Sequence, residues 1–391
     1  MLVTWIGFLV SLAGILVISK KSLPLALVCG ALLLGLFTLP ISVIVERVIF
    51  TLTDASILFL AIAMGIVPML GGTMTDSGQV ESLVRNVRLD RRFLLPFSAS
   101  LMGLMLMPGG ALLSAPIVEK GGENIPDDLK AVINNWFRHS FILIYPLAPS
   151  LIVAAEITGL DVYRAIIYLL PGFVVASGLG YVFFLRQVHG RLVFREKFSL
   201  PGLMVPLAII LCAPFLDFVL KRAFSIGTQA TLIGAATALV LSTLLSRRKL
   251  DLRDITIRTK PWNFALIIVG MFLYLHIFQS SRASDLIAAL PLPPRMLAVT
   301  AGFLLGLLTG RVQLPASIIL PVYLAAVGSV TPFVFALIYI AIYFGYVTSP
   351  VHPCLVVTCE YFHVPIKDMI MKMAPATAII IIAVLVLSWL A

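Results

Sequence analysis

Arg138 and His139 stand side by side in "INNWFRHSF", and His352 stands between two prolines in "SPVHP", each within otherwise apolar sequence. An imidazole that can relay a proton and a guanidinium that can grip an anion are costly in such surroundings, so they point to a watery cavity or a paired site. Arg311, in "LLTGRVQLPAS", is the best single candidate for contacting an anion. Each has an ordinary alternative: a snorkelling arginine and a packed histidine near an interface for Arg138 and His139, a bond to a freed carbonyl for His352, and external water for Arg311.

These residues accompany breaks in the backbone. Pro146 and Pro149 in "YPLAP", like Pro350 and Pro353 in "SPVHP", remove two backbone donors and clash with the preceding turn, so a helix unwinds there. "MPGGALLSAPIV", from Met107 to Val118, is broken by Pro108, Gly109 and Gly110, and the stretch 302–323 is broken around Gly310 to Pro315. Half-helix N-termini at such breaks offer positive dipole ends to anions, and freed carbonyls can hold Na⁺. Ser114, Asn135, Ser150, Gln313, Ser317 and Ser349 lie close enough to donate to a solute, although serines and asparagines, Asn134 included, also bridge packed helices. Glu156 and Glu360 follow the first proline of their break by roughly 15 Å of helix, which favours a boundary role over direct coordination.

The scaffold carrying these groups is a membrane one. The chain of 391 residues is 60% hydrophobic and 12% charged, and its mean hydropathy is +1.08. Apolar runs of roughly 17 to 25 residues recur along it, the length that crosses a bilayer as helix. The first run, 2–18, lacks a basic n-region and a cleavage site and is read as a retained span. The net charge of +10 serves topology and does not indicate nucleic acid. Cys29, Cys212, Cys354 and Cys359 all fall in apolar segments, away from disulfide or zinc spacing, and are assigned to packing. No HExxH, Walker lysine loop or other metal spacing occurs, so no enzyme, metal or cofactor is expected beyond Na⁺ as a possible coupling ion.

The unit is written twice. A constant offset of 204, the difference between 350 and 146, lays Pro146 on Pro350, Pro149 on Pro353, Glu156 on Glu360 and Pro171 on Pro375. Apolar blocks near 2–18, 23–39, 55–70, 93–118, 137–158 and 161–186 then fall on six blocks of the second half. The expected organisation is a first repeat 1–186, a basic cytoplasmic linker 187–204 and a second repeat 205–391.

A full crossing by 93–118 would put Arg85, Arg88, Arg91 and Arg92 on the face opposite the linker and "SRRKLDLRDITIRTK", against the positive-inside rule. A hairpin that turns at the glycines puts all three clusters on one side, with limbs of about 12 to 14 residues, too short to span. The predicted fold is all-α and polytopic: two inverted-topology repeats, each of five transmembrane helices plus one re-entrant hairpin, with broken helices. Both termini lie outside the cell membrane, and 71–92 lies along the cytoplasmic interface.

With "MPGGALLSAPIV", "INNWFRHSF" and the Pro-x-x-Pro break together, nearly the whole chain resembles the membrane family known as domain of unknown function 401. That family is grouped with the ion transporter superfamily of gluconate permeases, dicarboxylate/sodium symporters and arsenite permeases. The resemblance implies an elevator, in which hairpins and broken helices move against a scaffold, and it suggests a homodimer. The symporters' Ser-Asn-Thr tips are replaced here by Pro108-Gly109-Gly110 and Gln313-Leu314-Pro315-Ala316-Ser317, so neither their sodium sites nor their substrates carry over. The expected function is secondary active transport of a small anionic solute, coupled to Na⁺ or H⁺, with membrane lipid as the other partner. The alternatives are a lipid or headgroup flippase, a membrane-embedded enzyme, and an ion channel.

Overall fold

The computed structural model describes residues 2–104, 111–189, 197–281 and 293–390, and among these it is helical throughout, without a strand. The first half runs α1 (Leu2–Ile18), α2 (Leu23–Thr38), α3 (Ile41–Thr53), α4 (Ala55–Asp76), α5 (Gln79–Asn86), α6 (Arg91–Leu104), α7 (Ala111–Gly121), α8 (Asp127–Ser140), α9 (Pro149–Thr158) and α10 (Val162–Gly180). The second runs α11 (Leu200–Phe224), α12 (Thr228–Leu244), α13 (Leu252–Thr259), α14 (Pro261–Ser280), α15 (Pro294–Thr309), α16 (Gln313–Val327), α17 (Pro332–Val347), α18 (Pro353–Phe362) and α19 (Ile366–Leu390). Carboxylate and hydroxyl caps set several starts: Asp54 accepts from Ile57 N at 3.0 Å, Asp161 from Arg164 N at 2.9 Å and Thr331 from Val334 N at 3.3 Å.

Among the described residues, six segments are long and apolar enough to cross a membrane: Ala55–Asp76, Asp127–Thr158, Val162–Leu185, Leu200–Phe224, Pro261–Ser280 and Ile366–Leu390. This is a helical protein of the membrane type. Burial sorts inner from outer: 72% of the α4 window is covered by other parts of the chain, against 17% for α10. The outer helices turn Ile167, Val174, Ile382 and Trp389 outward, as a surface solvated by lipid allows.

Two sets of helices pack mainly among themselves. α1 lies on α2, α11 on α12, α4 on α12, and α14 on both α2 and α4. In the other set α6 packs on α7 and α8, α15 on α16 and α17, α16 on α9, and α18 on α7 and α8. Without a hydrophobic drive between helices in lipid, close backbone approach holds such contacts. A Cβ on Gly306 would overlap the Ile342 carbonyl, and one on Gly345 would overlap that of Phe303, so α15 and α17 meet at glycines from both sides.

α6 and α7 form a hairpin. Arg91, the first residue of α6, donates from Nε to the carbonyl of Gly121, the last of α7, at 2.6 Å, and its guanidinium also reaches the Glu123 carbonyl. α15 and α16 form another, joined by Gly310–Val312, with Pro294 and Val327 from its two ends lining one recess. The basic segments gather at the first hairpin's open end. Arg91 and Arg92 bond the carbonyls of His189 and Val188 at 2.7 and 2.5 Å, Glu81 pairs with Arg85 and Arg248 at 2.6 and 3.2 Å, and Asn86 accepts from Ser199 N at 2.6 Å. There too Lys372, near the start of α19, pairs with Asp128. Ser388 and Trp389, about 24 Å further along α19, line the recess at the open end of the second hairpin.

Several expected boundaries move. The third apolar block continues through Gly71 to Asp76 as part of α4, so of 71–92 only α5 is a separate amphipathic helix, and Arg91 already opens the hairpin. α11 starts at Leu200, inside the expected linker, because Ser199 caps it and Pro201 fits its first turn. The second hairpin breaks only at Gly310–Val312: Gln313, Pro315 and Ser317 are helical, since a proline in the first turn gives up a donor that has no intrahelical partner anyway. Its limbs, of 16 and 15 residues, are longer than expected.

Candidate functional site

The first break is wider than its two prolines. Pro146 cannot donate to Ile142 and its ring crowds that carbonyl, so α8 stops at Ser140 and tightens into a 3-10 turn over Phe141–Ile144 before α9 begins at Pro149. The second break runs from Thr348 to His352, between α17 and α18, and Ser349 Oγ ties it to α15 by donating to the Leu307 carbonyl at 2.6 Å. α9 and α18 both open on a proline, and α9, α16 and α18 all begin without a side-chain cap, leaving first-turn N–H groups for other acceptors.

Each break is met by the end of a hairpin limb. Ser100 Oγ on α6 donates to the Phe137 carbonyl at 2.6 Å, and a Cβ on Gly103 would overlap the Arg138 carbonyl. On α7, Ser114 Oγ accepts from Arg138 Nη1 at 3.5 Å, and the Ala111 carbonyl accepts from Asn134 Nδ2 at 3.4 Å. In the second hairpin, Gly310 takes φ +59° and lies so near the second break that a Cβ there would be 2.9 Å from His352 N and from Val351 C and O.

Beside the second break, the end of α8 meets the end of α17. The His139 and His352 rings are 4.7 Å apart, Tyr346 lies 4.1 Å from His352 and 5.3 Å from His139, and Tyr343 OH donates to the His139 carbonyl at 2.6 Å. His139 Nδ1 is 2.6 Å from the Asn135 carbonyl, which can only accept, so Nδ1 carries the proton and Nε2 keeps its lone pair. Asn135 Nδ2 crosses to the Val347 carbonyl at 3.1 Å, and Asn134 Nδ2 to Thr358 Oγ1 at 3.1 Å. Both histidines are 1% exposed and Arg138 3%. Neither ring nitrogen of His352 reaches good hydrogen-bond geometry, although the Val347 carbonyl lies beside the ring and interacts with it. One donor atom each from His139, His352 and Cys354 fall within 4.8 Å of one another.

The void between His139, Trp136, Leu143 and Val347 is about 10 Å³, room for one water at most. A much larger cavity of about 370 Å³, lined by Trp5, Phe8 and Tyr323, opens beside the second hairpin. Its lining holds no carboxylate, histidine, lysine or arginine, and it is not the chemical centre.

Both broken segments and both hairpins lie inside a match to a single family over residues 4–391. The chain belongs to the family described as Protein of unknown function (DUF401). None of the curated proteins matches it.

In this DUF401 chain the described candidates divide into three groups. Ser114, Asn135, Arg138, His139, Gly310, Ser349, Pro350, His352 and Pro353 form or border the centre. α8 starts ten residues before the expected span, at Asp127, so Arg138 and His139 lie towards the middle of the segment Asp127–Thr158 and are buried by protein. Pro146 and Pro149 bound the first break, and Ser150 Oγ, at the start of α9, bonds Tyr339 OH at 3.0 Å.

Others stand apart. Arg311 is half-buried and donates to the carbonyl of Ser19, the residue after α1, at 3.4 Å, so it does not simply reach external water. Ser317 Oγ bonds the Leu314 carbonyl within its own helix at 2.8 Å, and Gln313 opens α16. Glu156 and Glu360 are exposed. Pro108, Gly109 and Gly110 lie outside the described residues.

Tyr343, Tyr346, Cys354 and Thr358 are the central residues that sequence reasoning missed. The two tyrosines lie one turn apart just before "SPVHP", a signal open to the same reasoning that found His352. A second polar cluster was also missed: Asp217 on α11, 1% exposed, bonds Tyr163 OH at 2.5 Å, Thr231 Oγ1 at 2.7 Å and Lys221 Nζ at 3.0 Å.

Proposed function

We propose that this DUF401 protein is a secondary active transporter that carries a small anionic solute across the cell membrane by an elevator mechanism, coupled to Na⁺ or H⁺. The observation that carries the reading is the convergence of two hairpins and two broken helices on one buried polar centre, with His139 and His352 4.7 Å apart. Irregular backbone at membrane depth is tolerated where protein or a cavity satisfies it, and carriers place their sites at such points.

The inverted repeat is supported by matched element starts: α9 and α18 begin at Pro149 and Pro353, and α10 and α19 at Val162 and Ile366, each pair offset by 204. Opposed entry of the hairpins is supported by their ends. Those of the first lie with the basic segments and the start of α19, and those of the second lie with its far end. The basic end is cytoplasmic by the positive-inside rule, which gives ten crossings and both termini outside. The set containing α6–α10 and α15–α19 is the moving part, and the set of α1, α2, α4, α11, α12 and α14 is the scaffold. An anion suits the centre because Arg138 borders it and α18 begins there without a side-chain cap.

Purified protein in sealed proteoliposomes tests the reading. The carrier predicts saturable uptake of one class of labelled anion, driven by a Na⁺ or H⁺ gradient and lost in Arg138→Gln. Uncoupled ionic current would instead establish a channel, and translocation of labelled lipid without solute uptake a flippase. A thermal-shift screen of organic and inorganic anions, with and without Na⁺, identifies the solute class first.

A further inference from the structure

The geometry points to a soft-metal site where the end of α8 meets the second break: His139, His352 and Cys354 bind one Cu(I) ion in three-coordinate geometry. Their donor atoms already lie within 4.8 Å of one another, although they come from α8, from the second break and from the first turn of α18. Around a three-coordinate ion with bonds of about 2.0 to 2.3 Å, neighbouring donors stand roughly 3.5 to 4 Å apart. Closing that gap needs rotation of side chains and leaves the helices in place.

Two further observations mark these residues as ligands. Buried polar atoms are normally well paired, yet His352 is 1% exposed and has only the neighbouring Val347 carbonyl, already taken by Asn135 Nδ2, with neither ring nitrogen in good hydrogen-bond geometry. His139 has the arrangement of a metal-bound imidazole, in which one nitrogen donates to a backbone carbonyl, here Asn135, and the other keeps its lone pair for the ion. Tyr343, bonded to the His139 carbonyl, steadies the same turn.

Charge and coordination number select the ion. Binding releases the Cys354 thiol proton to the aqueous phase, and the thiolate with two neutral imidazoles leaves Cu(I) uncharged overall, with no change of oxidation state. Zn(II) would leave a net positive charge in a dry interior beside Arg138 and would seek a fourth ligand. Thiolate with imidazole is also a donor set suited to copper. The site stands on these contacts alone and does not depend on the carrier reading, since metal binding and solute uptake are measured separately.

The test is anaerobic titration of the purified full-length protein in detergent with Cu(I), in competition with a chromogenic Cu(I) chelator. One ion per chain is expected. Cys354→Ser and His352→Asn should each weaken it more than about 100-fold, since even second-shell partners are worth 10- to 100-fold. Cys359→Ser should retain it, although Cys359 has its own soft neighbour in Met369, with the sulfurs 3.2 Å apart. Copper X-ray absorption on the wild-type protein, which needs no variant to fold, should show one sulfur and two nitrogens. Unchanged affinity in well-folded Cys354→Ser, loss in Cys359→Ser, a sulfur-free shell, or preference for Zn(II) would each overturn the assignment.

Discussion

Replacing Gly310 by alanine tests whether the second hairpin is fixed against the second break. Two costs add. At φ +59° an L-residue pays roughly 1–2 kcal/mol for the left-handed region. The new methyl would also lie 2.9 Å from three backbone atoms of Val351 and His352, short of ordinary contact by roughly half an ångström. Backbone yields little, so the tip must lift, at the roughly 1–3 kcal/mol typical of overpacking. The total is roughly 2–5 kcal/mol. Gly328→Ala isolates the first term, because Gly328 has φ +81° with nothing within 4 Å of the added methyl. Gly178→Ala, in open space within α10 and without positive φ, should be neutral or stabilising by up to about 1 kcal/mol. Unfolding followed by intrinsic fluorescence in detergent should rank the variants Gly310, Gly328, Gly178 from most to least destabilised. Lifting the tip should also make Cys354 react faster with a maleimide. Equal destabilisation by Gly310→Ala and Gly328→Ala, with no change at Cys354, would falsify the contact between tip and break.

Further predictions follow from particular contacts. Asp217→Ala should cost about 3–5 kcal/mol, because it strands the buried end of Lys221 and two hydroxyls, whereas Asp217→Leu combined with Lys221→Leu should recover most of the loss in the same unfolding assay. Single cysteines at Asp90 and Glu123 should react with a membrane-impermeant maleimide from one side only, and those at Pro293 and Ser329 from the other; labelling of all four from one side would refute opposed hairpins. Tyr343→Phe, which removes the donor to the His139 carbonyl, should destabilise by about 1–3 kcal/mol as measured by detergent unfolding. Arg258→Gln, which removes half-exposed pairs with Asp76 and Asp254, should cost less than about 1 kcal/mol, and that small effect should vanish at high salt.

Much of the framework was legible because its causes are local. Prolines three apart unwind a helix whatever surrounds it, so both breaks appeared near "YPLAP" and "SPVHP". Boundaries were harder to read. Polar residues such as Asn134 and Asn135 hid the start of α8, because hydropathy scores them as exposed while the fold buries them against α18 and the Val347 carbonyl. Pro315 was read as part of a break although a first-turn proline starts a helix as readily as it ends one. Cys354 was assigned to packing because metal signatures are recognised by short spacing, and its neighbours in space come from separate segments.

By itself the sequence determined a membrane-type helical protein with paired breaks and basic segments suited to one face, because hydrocarbon thickness, lost backbone donors and the placement of charge act along the chain. Only the tertiary structure decided that Arg138 and His139 are buried, that Arg311 bonds the Ser19 carbonyl just past α1, and that His139, His352 and Cys354 share one centre. Those outcomes depend on which helix end meets which break, a choice made by packing between segments far apart in the chain.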